Sequence, residues 1–292
     1  MNKIKILLDS TCDLDMDLLK RFDLDYIKMG VTMDDKEYSA SLSWEEYTPK
    51  EFYDFMRSGK RCYTNQVKES AFEERFTALL EEGYDIVYIG CSSGLSGSVA
   101  LGKLVAERLK EKYKDNTIAI VDPLCSGMAQ GLMGIRASEL RDEGKSAEEI
   151  ASILTAERFN YHQWATVGSL TYLKNAGRVK ASSAFLGNLF GVKPIIVSDR
   201  KGYNTAIKKI RGRKAALDEI IESAVNNVVD PENHYLAISH ADDLETALQV
   251  KKAIEAKIHC KGIFITALGP ILGASCGPET IIISNYGTEK AQ

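Results

Sequence analysis

The chain has 292 residues, 45% of them hydrophobic and 27% charged, with a formal net charge of −4. A chain of that length buries about three-quarters of its unfolded surface and sits near the size at which one core gives way to two. Its composition excludes disorder and collagen-like repeats, and its negative balance argues against nucleic acid as a partner, because phosphate binding needs a basic surface that releases counterions.

The opening "MNKIKILLDS" ends its apolar run at Asp9, too soon for a signal sequence, and no later stretch approaches the roughly 20 apolar residues of a membrane span. A cytoplasmic protein with no integral membrane association is expected. "KIKILLDS" reads as a strand and "LDMDLLKRF" as a helix capped by Asp13 or a neighbour. "YIKMGVTM" reads as one strand, "TPKEFYDFMRSG" as a helix closed by Gly59, and "CYTNQ" as a loop in which Thr64 is placed to cap the next helix, "SAFEERFTALLEEG". The strand "DIVYIG", a helix from about Ser96 to Tyr113, the strand "TIAIVDP" and the long helix "MAQGLMGIRASELRDEG" follow. Such alternation means βαβ units and a parallel sheet with helices on both faces.

A second series starts after the charged, turn-prone "RDEGKSAEEI". It comprises a bridging helix in "SAEEIASILTAERFN", "QWATVGSL", a helical pair in "TYLKNAGRVKASSAFLGNLFG" and a hairpin in "KPIIVSDRKGYNTAIKKI". The helix "RKAALDEIIESAVNNVV", the strand "YLAISHA", the helix "LETALQVKKAIEAKI" and the strands "GIFITAL" and "ETIIISN" complete a second α/β unit with a mixed sheet. The expected division is 1–155 and 156–292, with a ligand at the junction.

Residues 90 to 98, "GCSSGLSGS", place four serines and three glycines between a strand and a helix. A turn of this kind aims backbone N–H groups and hydroxyls at one point, backed by the positive end of the helix dipole, and suits a small anionic group. The bland reading is a tight loop whose serines cap the helix. Gly90 to Gly94 also matches the G-x-S-x-G nucleophile elbow, with Ser92 as the nucleophile of a serine hydrolase. Against that, residues 1 to 89 hold neither a histidine nor a Gly-Gly pair for an oxyanion loop, and acid and base would have to come from Asp242 and His240 or His259. His240 also reads as a turn residue. No G-x-x-x-x-G-K-[ST] nucleotide loop is present.

The six cysteines form no C-x-x-C pair and the four histidines share no ligand spacing, so free buried thiols and no metal are expected. "LGPILGASCGPET" implies close backbone approach to another loop or to a ligand. "SSAFLGNLFGVKPII" is apolar beyond one amphipathic face, as a core helix or a cavity lining would be. The run 200 to 214 carries seven Lys or Arg, either to dock an acidic partner or as a solvated hairpin face.

Together "DSTCDL" (Asp9 to Leu14), "TNQ" (Thr64 to Gln66), "SSGLSGS" (Ser92 to Ser98), "LKNAGRV" (Leu173 to Val179) and "GPILGASCGP" (Gly269 to Pro278) resemble, in order and spacing, the DegV family of bacterial proteins. That family includes the fatty acid-binding subunits of fatty acid kinase. The resemblance implies a cytoplasmic carrier, not itself a catalyst and without cofactor, that presents a long-chain fatty acid to a separate kinase for acyl phosphate formation in phospholipid synthesis. It implies carboxylate contacts from Thr64 and Ser96, help from backbone N–H groups near Ser93 and Gly97, and Arg178 and Ser275 nearby. The implied tail lining is Phe185, Leu186, Leu189, Phe190, Ile195, Ile271 and Leu272. This sequence departs from the family pattern at Ser275, where histidine is usual, at Glu279, where glycine is usual, and at Asn65, where serine is usual. Burial of a C16 tail, about 14 methylenes at ~0.8 kcal/mol each, would offer on the order of 11 kcal/mol before ordering costs.

Overall fold

The computed structural model describes residues 2–180 and 191–290. β1 (Lys3–Asp9) opens the chain, and α1 (Met16–Arg21) starts at Asp15, whose carboxylate accepts the Leu18 N–H at 2.8 Å. The expected single strand at 26–33 divides at Lys28 into β2 (Leu24–Ile27) and β3 (Met29–Met33), which belong to different sheets. β4 (Lys36–Ala40) follows, and then α2 (Pro49–Arg57), which begins with a Thr48/Glu51 capping box and proline in its first turn.

The segment read as a loop is β5 (Cys62–Asn65), so Thr64 is a strand residue and no cap. Lys68 stands at the N-cap of α3 (Glu69–Glu81) and makes no side-chain capping bond. β6 (Tyr84–Ile89), α4 (Ser98–Lys112), β7 (Ile118–Val121), α5 (Gly127–Asp142) and α6 (Ala147–Glu157) complete the first half. The second half runs β8 (Tyr161–Thr166), α7 (Leu170–Ala176), β9 (Val179–Lys180), β10 (Val192–Ser198), β11 (Asn204–Arg211), α8 (Arg213–Asn227), β12 (Tyr235–His240), α9 (Leu244–Glu255), β13 (Gly262–Ala267), α10 (Pro270–Cys276) and β14 (Ile281–Tyr286). The first member of the expected helical pair is α7; the second falls largely on 181–190, outside the described residues.

The strands form a parallel sheet in the order β2-β1-β6-β7, a mixed sheet β13-β12-β14-β8-β10-β11-β9, and a small antiparallel sheet β4-β3-β5. Alternation along β1 shows how the parallel sheet is covered on both faces: Leu7 packs with Phe72 and Phe76 of α3, whereas Ile6 and Leu8 pack with Leu132 and Ile150 on the α5 and α6 side. α5 is buried nearly all round because it also packs against β8, β12 and β14 of the mixed sheet. α8 and α9 cover the far face of that sheet through Ile220, Ile221, Val250 and Ile254.

The close approaches expected around residues 269–277 are to protein. A Cβ at Gly273 would stand 2.6 Å from the Tyr53 hydroxyl, and one at Gly277 2.1 Å from the Tyr172 ring. Tyr53 also donates its hydroxyl to the Leu268 carbonyl at 2.9 Å, which fixes α2 to the entry of α10.

Candidate functional site

Asp9, at the carboxyl end of β1, is fully buried and organises the polar ground beneath the Gly/Ser turn. Its carboxylate accepts the Cys91 N–H at 2.7 Å, the Tyr88 hydroxyl at 3.0 Å, the Thr11 N–H at 3.1 Å and the Gln130 amide at 3.2 Å. These bonds replace the water that a buried charge loses and hold the first residue after Gly90 in place. The turn then winds so that Leu95 and Ser96 donate their N–H groups to the Ser92 carbonyl at 2.9 and 3.0 Å. α4, fifteen residues long with no acidic residue in its first turn, starts directly behind it, so its positive end is uncompensated by side chains of that turn.

Above the turn lies a cavity of about 460 Å³. Its polar lining side chains are those of Thr11, Thr64, Asn65, Gln66, Ser93, Ser96, Ser126, Gln163, Arg178, Asn204 and Ser275, with the backbone of Gly97 beside Ser96. The remaining walls are apolar: Met29, Ala165, Val167, Leu173, Val179, Ile196, Ile271, Leu272, Cys276 and Ile282. Strands of the antiparallel and the mixed sheets contribute, together with the turns that follow β1, β6 and β7, so no single half of the chain builds it.

The structure brings Thr64, Ser93, Ser96, Gly97, Arg178, Ser275, Ile271 and Leu272 to this one cavity. Thr64 faces it from β5, paired opposite Val31. Ser98 Oγ accepts the Val67 N–H at 3.2 Å and lies 3.0 Å from Ser96 Oγ, so the end of β5 and the turn are tied together beside Thr64. Two expectations change. The Ser93 N–H is already donated to Asp122 Oδ1 at 3.2 Å, which leaves the Ser93 hydroxyl, not its backbone, to face a ligand. Ser275 donates its hydroxyl to the Ile271 carbonyl one turn back at 3.3 Å, so it offers a ligand only its oxygen lone pairs.

Ile195 is not a lining residue. It is fully buried on the opposite face of β10, among Ile220, Ile238 and Ile281, and its neighbour Ile196 faces the cavity. A side-chain period of two makes this a one-residue question. Phe185, Leu186, Leu189 and Phe190 lie outside the described residues. Ser126, Gln163 and Asn204 are cavity residues absent from the sequence reading, and isolated polar residues in strands and turns carry no motif by which to find them; Thr11, inside the quoted "DSTCDL", was not singled out there.

Ser92 is not held as the nucleophile of the G-x-S-x-G elbow. Ser92 is fully buried, donates its hydroxyl to the Gly202 carbonyl at 2.7 Å and accepts the Gly94 N–H at 3.2 Å; among the described residues no histidine or carboxylate bonds to it. His240 accepts the Asp243 N–H at 3.2 Å, in a turn role. The two cysteines in the wall are no better as nucleophiles, since burial pushes the Cys276 thiol up to about 12 and the Cys91 thiol well above its ordinary value. Among the described residues no cluster of His, Cys, Asp or Glu could hold a metal ion, and no helix is long and apolar enough to cross a membrane. What the cavity offers is neutral polar groups, one exposed arginine and many apolar side chains.

A family model described as an uncharacterised protein of the DegV family matches residues 3–286. A DegV domain-containing protein of Clostridium perfringens is 32% identical over 290 residues, covering 99% of each chain. Among solved structures, a DegV family protein from Thermus thermophilus, described by its fatty acid binding, is 26% identical with a TM-score of 0.85, covering 98% of this chain and 99% of its own. A DegV lipid-binding protein from Thermotoga maritima is 25% identical with a TM-score of 0.83, covering 99% of this chain and all of its own. The chain belongs to the DegV family.

Proposed function

We propose that this protein binds a long-chain fatty acid in the cavity, its carboxylate at the Ser/Gly turn and its tail along the apolar walls. The observation that carries this reading is the mixed lining of one cavity, in which the hydroxyls of the Ser/Gly turn, at the start of α4, and of Thr64 share the walls with aliphatic side chains. Lipid- and fatty acid-binding relatives of the same fold support it. Thr64 Oγ1 and Ser96 Oγ are the carboxylate donors, with the Ser93 hydroxyl and the Gly97 N–H beside them. Residues 1–155 supply the head-group turn and 156–292 most of the tail enclosure, on either side of a division near residue 155.

On this reading the protein is a cytoplasmic, non-catalytic carrier, and a separate kinase phosphorylates the presented carboxylate to an acyl phosphate for phospholipid synthesis. The resemblance in motif order supports that step. The basic run at 200–214 adds little to it, because Arg200, Lys208, Arg213 and Lys214 each already pair with an acidic residue of this chain. Denaturing mass spectrometry of an organic extract of the purified protein tests the core of the proposal. A near-stoichiometric fatty acid is expected; none in the extract, with no uptake on incubation, would overturn it.

A further inference from the structure

Two side chains in the cavity wall form a pair that the head-group motifs do not include. Gln163 of β8, 5% exposed, donates its amide N–H to Asn204 Oδ1 of β11 at 2.7 Å, and both residues line the cavity. The direction of this bond matters. With its oxygen taken by Gln163, Asn204 turns its Nδ2 group away from that bond, and among the described residues Nδ2 has no acceptor. Nδ2 is not sealed from solvent, so a ligand oxygen there takes the place of water with no hydrogen bond lost.

The place of Asn204 indicates which oxygen. It lies two residues beyond Gly202, the hairpin residue whose carbonyl accepts the Ser92 hydroxyl and whose backbone stands 2.8 Å from where a Cβ of Gly94 would be. It also pairs in register with Val179, the residue after Arg178. Asn204 therefore lines the cavity close to the Ser/Gly turn, on the mixed sheet, whereas Thr64 is on the antiparallel sheet and Ser96 in the turn itself. The hydroxyls of Thr64, Ser93 and Ser96 and the Arg178 guanidinium in the same cavity can all donate, which suits an anion.

Resting on the fatty acid reading above, we propose that Asn204 is a further ligand-binding residue: its Nδ2 donates to the carboxylate from the mixed-sheet side, and Gln163 is the positioning residue that sets its orientation. In this chain an amide held by a second amide supplies the side-chain donor that Ser275, committed to the Ile271 carbonyl, does not.

The test compares delipidated protein binding palmitate with the same protein binding 1-hexadecanol, which has the tail without the charge, both delivered from cyclodextrin. Asn204→Leu is expected to weaken palmitate about tenfold and to leave hexadecanol within about twofold, in line with loss of one hydrogen bond to a charged acceptor. Gln163→Leu is the second variant. It removes the amide that orients Asn204 without adding a charge to the cavity, and should weaken palmitate by less than Asn204→Leu while leaving hexadecanol within about twofold. Each variant also removes the Gln163–Asn204 bond, so a modest drop in the melting temperature of the lipid-free protein accompanies both, and the comparison of acid with alcohol carries the test. Equal losses for acid and alcohol, or palmitate affinity unchanged in both variants, would overturn the assignment while leaving the fatty acid reading intact. Failure of the natural protein to bind palmitate at all would overturn both.

Discussion

The Ser92 hydroxyl donates to the Gly202 carbonyl at 2.7 Å, across 110 positions of sequence and between two different sheets. The bond joins the turn after β6 to the tip of the β10–β11 hairpin, where a Cβ on Gly94 would stand 2.8 Å from the Gly202 backbone. The serine that a motif search marks as a nucleophile is a staple that holds the two sides of the cavity together.

Ser92→Ala should accordingly lower stability by about 1 to 3 kcal/mol, because it leaves a buried carbonyl without its donor. Gly94→Ala should be at least as damaging through direct collision with the hairpin. Chemical denaturation measures both. Neither variant should abolish any ester hydrolysis above the uncatalysed rate, since the natural protein should show none; an esterase activity lost in Ser92→Ala would contradict the assignment of Ser92 as a staple.

Thr64→Val and Ser96→Ala each remove one hydroxyl donor to a charged acceptor, worth about 1.5 to 3 kcal/mol. Fatty acid affinity measured by titration of the delipidated protein should fall roughly tenfold or more in each. Thr64 has no side-chain partner among the described residues, so Thr64→Val should leave the melting of the lipid-free protein nearly unchanged. Ser96 accepts the Ser98 N–H at 3.2 Å, so Ser96→Ala carries a small stability loss as well. Unchanged affinity in both would mean that the carboxylate is held elsewhere in the cavity.

The regular elements were legible where burial is one-sided or where the chain alternates strand and helix, as in β1, β6, α3 and α9. The antiparallel sheet was not. β4 is mostly exposed and β5 alternates half-buried and exposed residues, so neither carries an apolar run that announces a strand. The break at Lys28 was hidden for the opposite reason, since β2 and β3 are both apolar and adjoin in sequence. Parity on β10 could not be read because Pro194, Ile195 and Ile196 are all buried, which removes the alternation that would separate Ile195 from Ile196. The turn at 90–98 was recognisable because its glycines and serines are consecutive, whereas Gln163 and Asn204 become a pair only through tertiary contact 41 positions apart.

His162 gives the fold an acid sensitivity that is separate from ligand binding. It is 8% exposed, lies 2.6 Å from the Thr288 carbonyl and stacks on Trp164, and burial pulls its pKa down to about 4. The unfolded chain therefore binds the proton more tightly than the folded one between about pH 6.5 and 4, and stability should fall as pH drops through that window, by up to about 3 kcal/mol. His162→Gln, which keeps a donor for Thr288, should flatten this part of the stability profile measured by denaturant titration. An equally steep acid loss in the variant would assign the effect to another group.

Ser275 allows the electrostatics of the head-group end to be tested directly. Among the described lining residues there is no histidine, aspartate or glutamate, and Arg178 is the one charged side chain; it keeps its charge across the physiological range. Between about pH 5.5 and 7.5 a bound carboxylate in this site meets donors whose protonation does not change, so palmitate affinity of the natural protein should be nearly flat. Ser275→His places an imidazole in the wall. A bound carboxylate favours the cationic form of that ring, so its pKa rises on binding. Affinity should then be greatest at the acid end of the interval and decline as pH rises through the pKa of the ring in the complex, above the ordinary value of about 6.5. Tail burial is untouched by the substitution, so affinity at the alkaline end should return close to that of the natural protein. Titrations at pH 5.5, 6.5 and 7.5 with both proteins decide the matter. A steep slope already present in the natural protein would mean that a titrating group outside the described lining reaches the ligand, and the neutral-donor account of the site would be wrong.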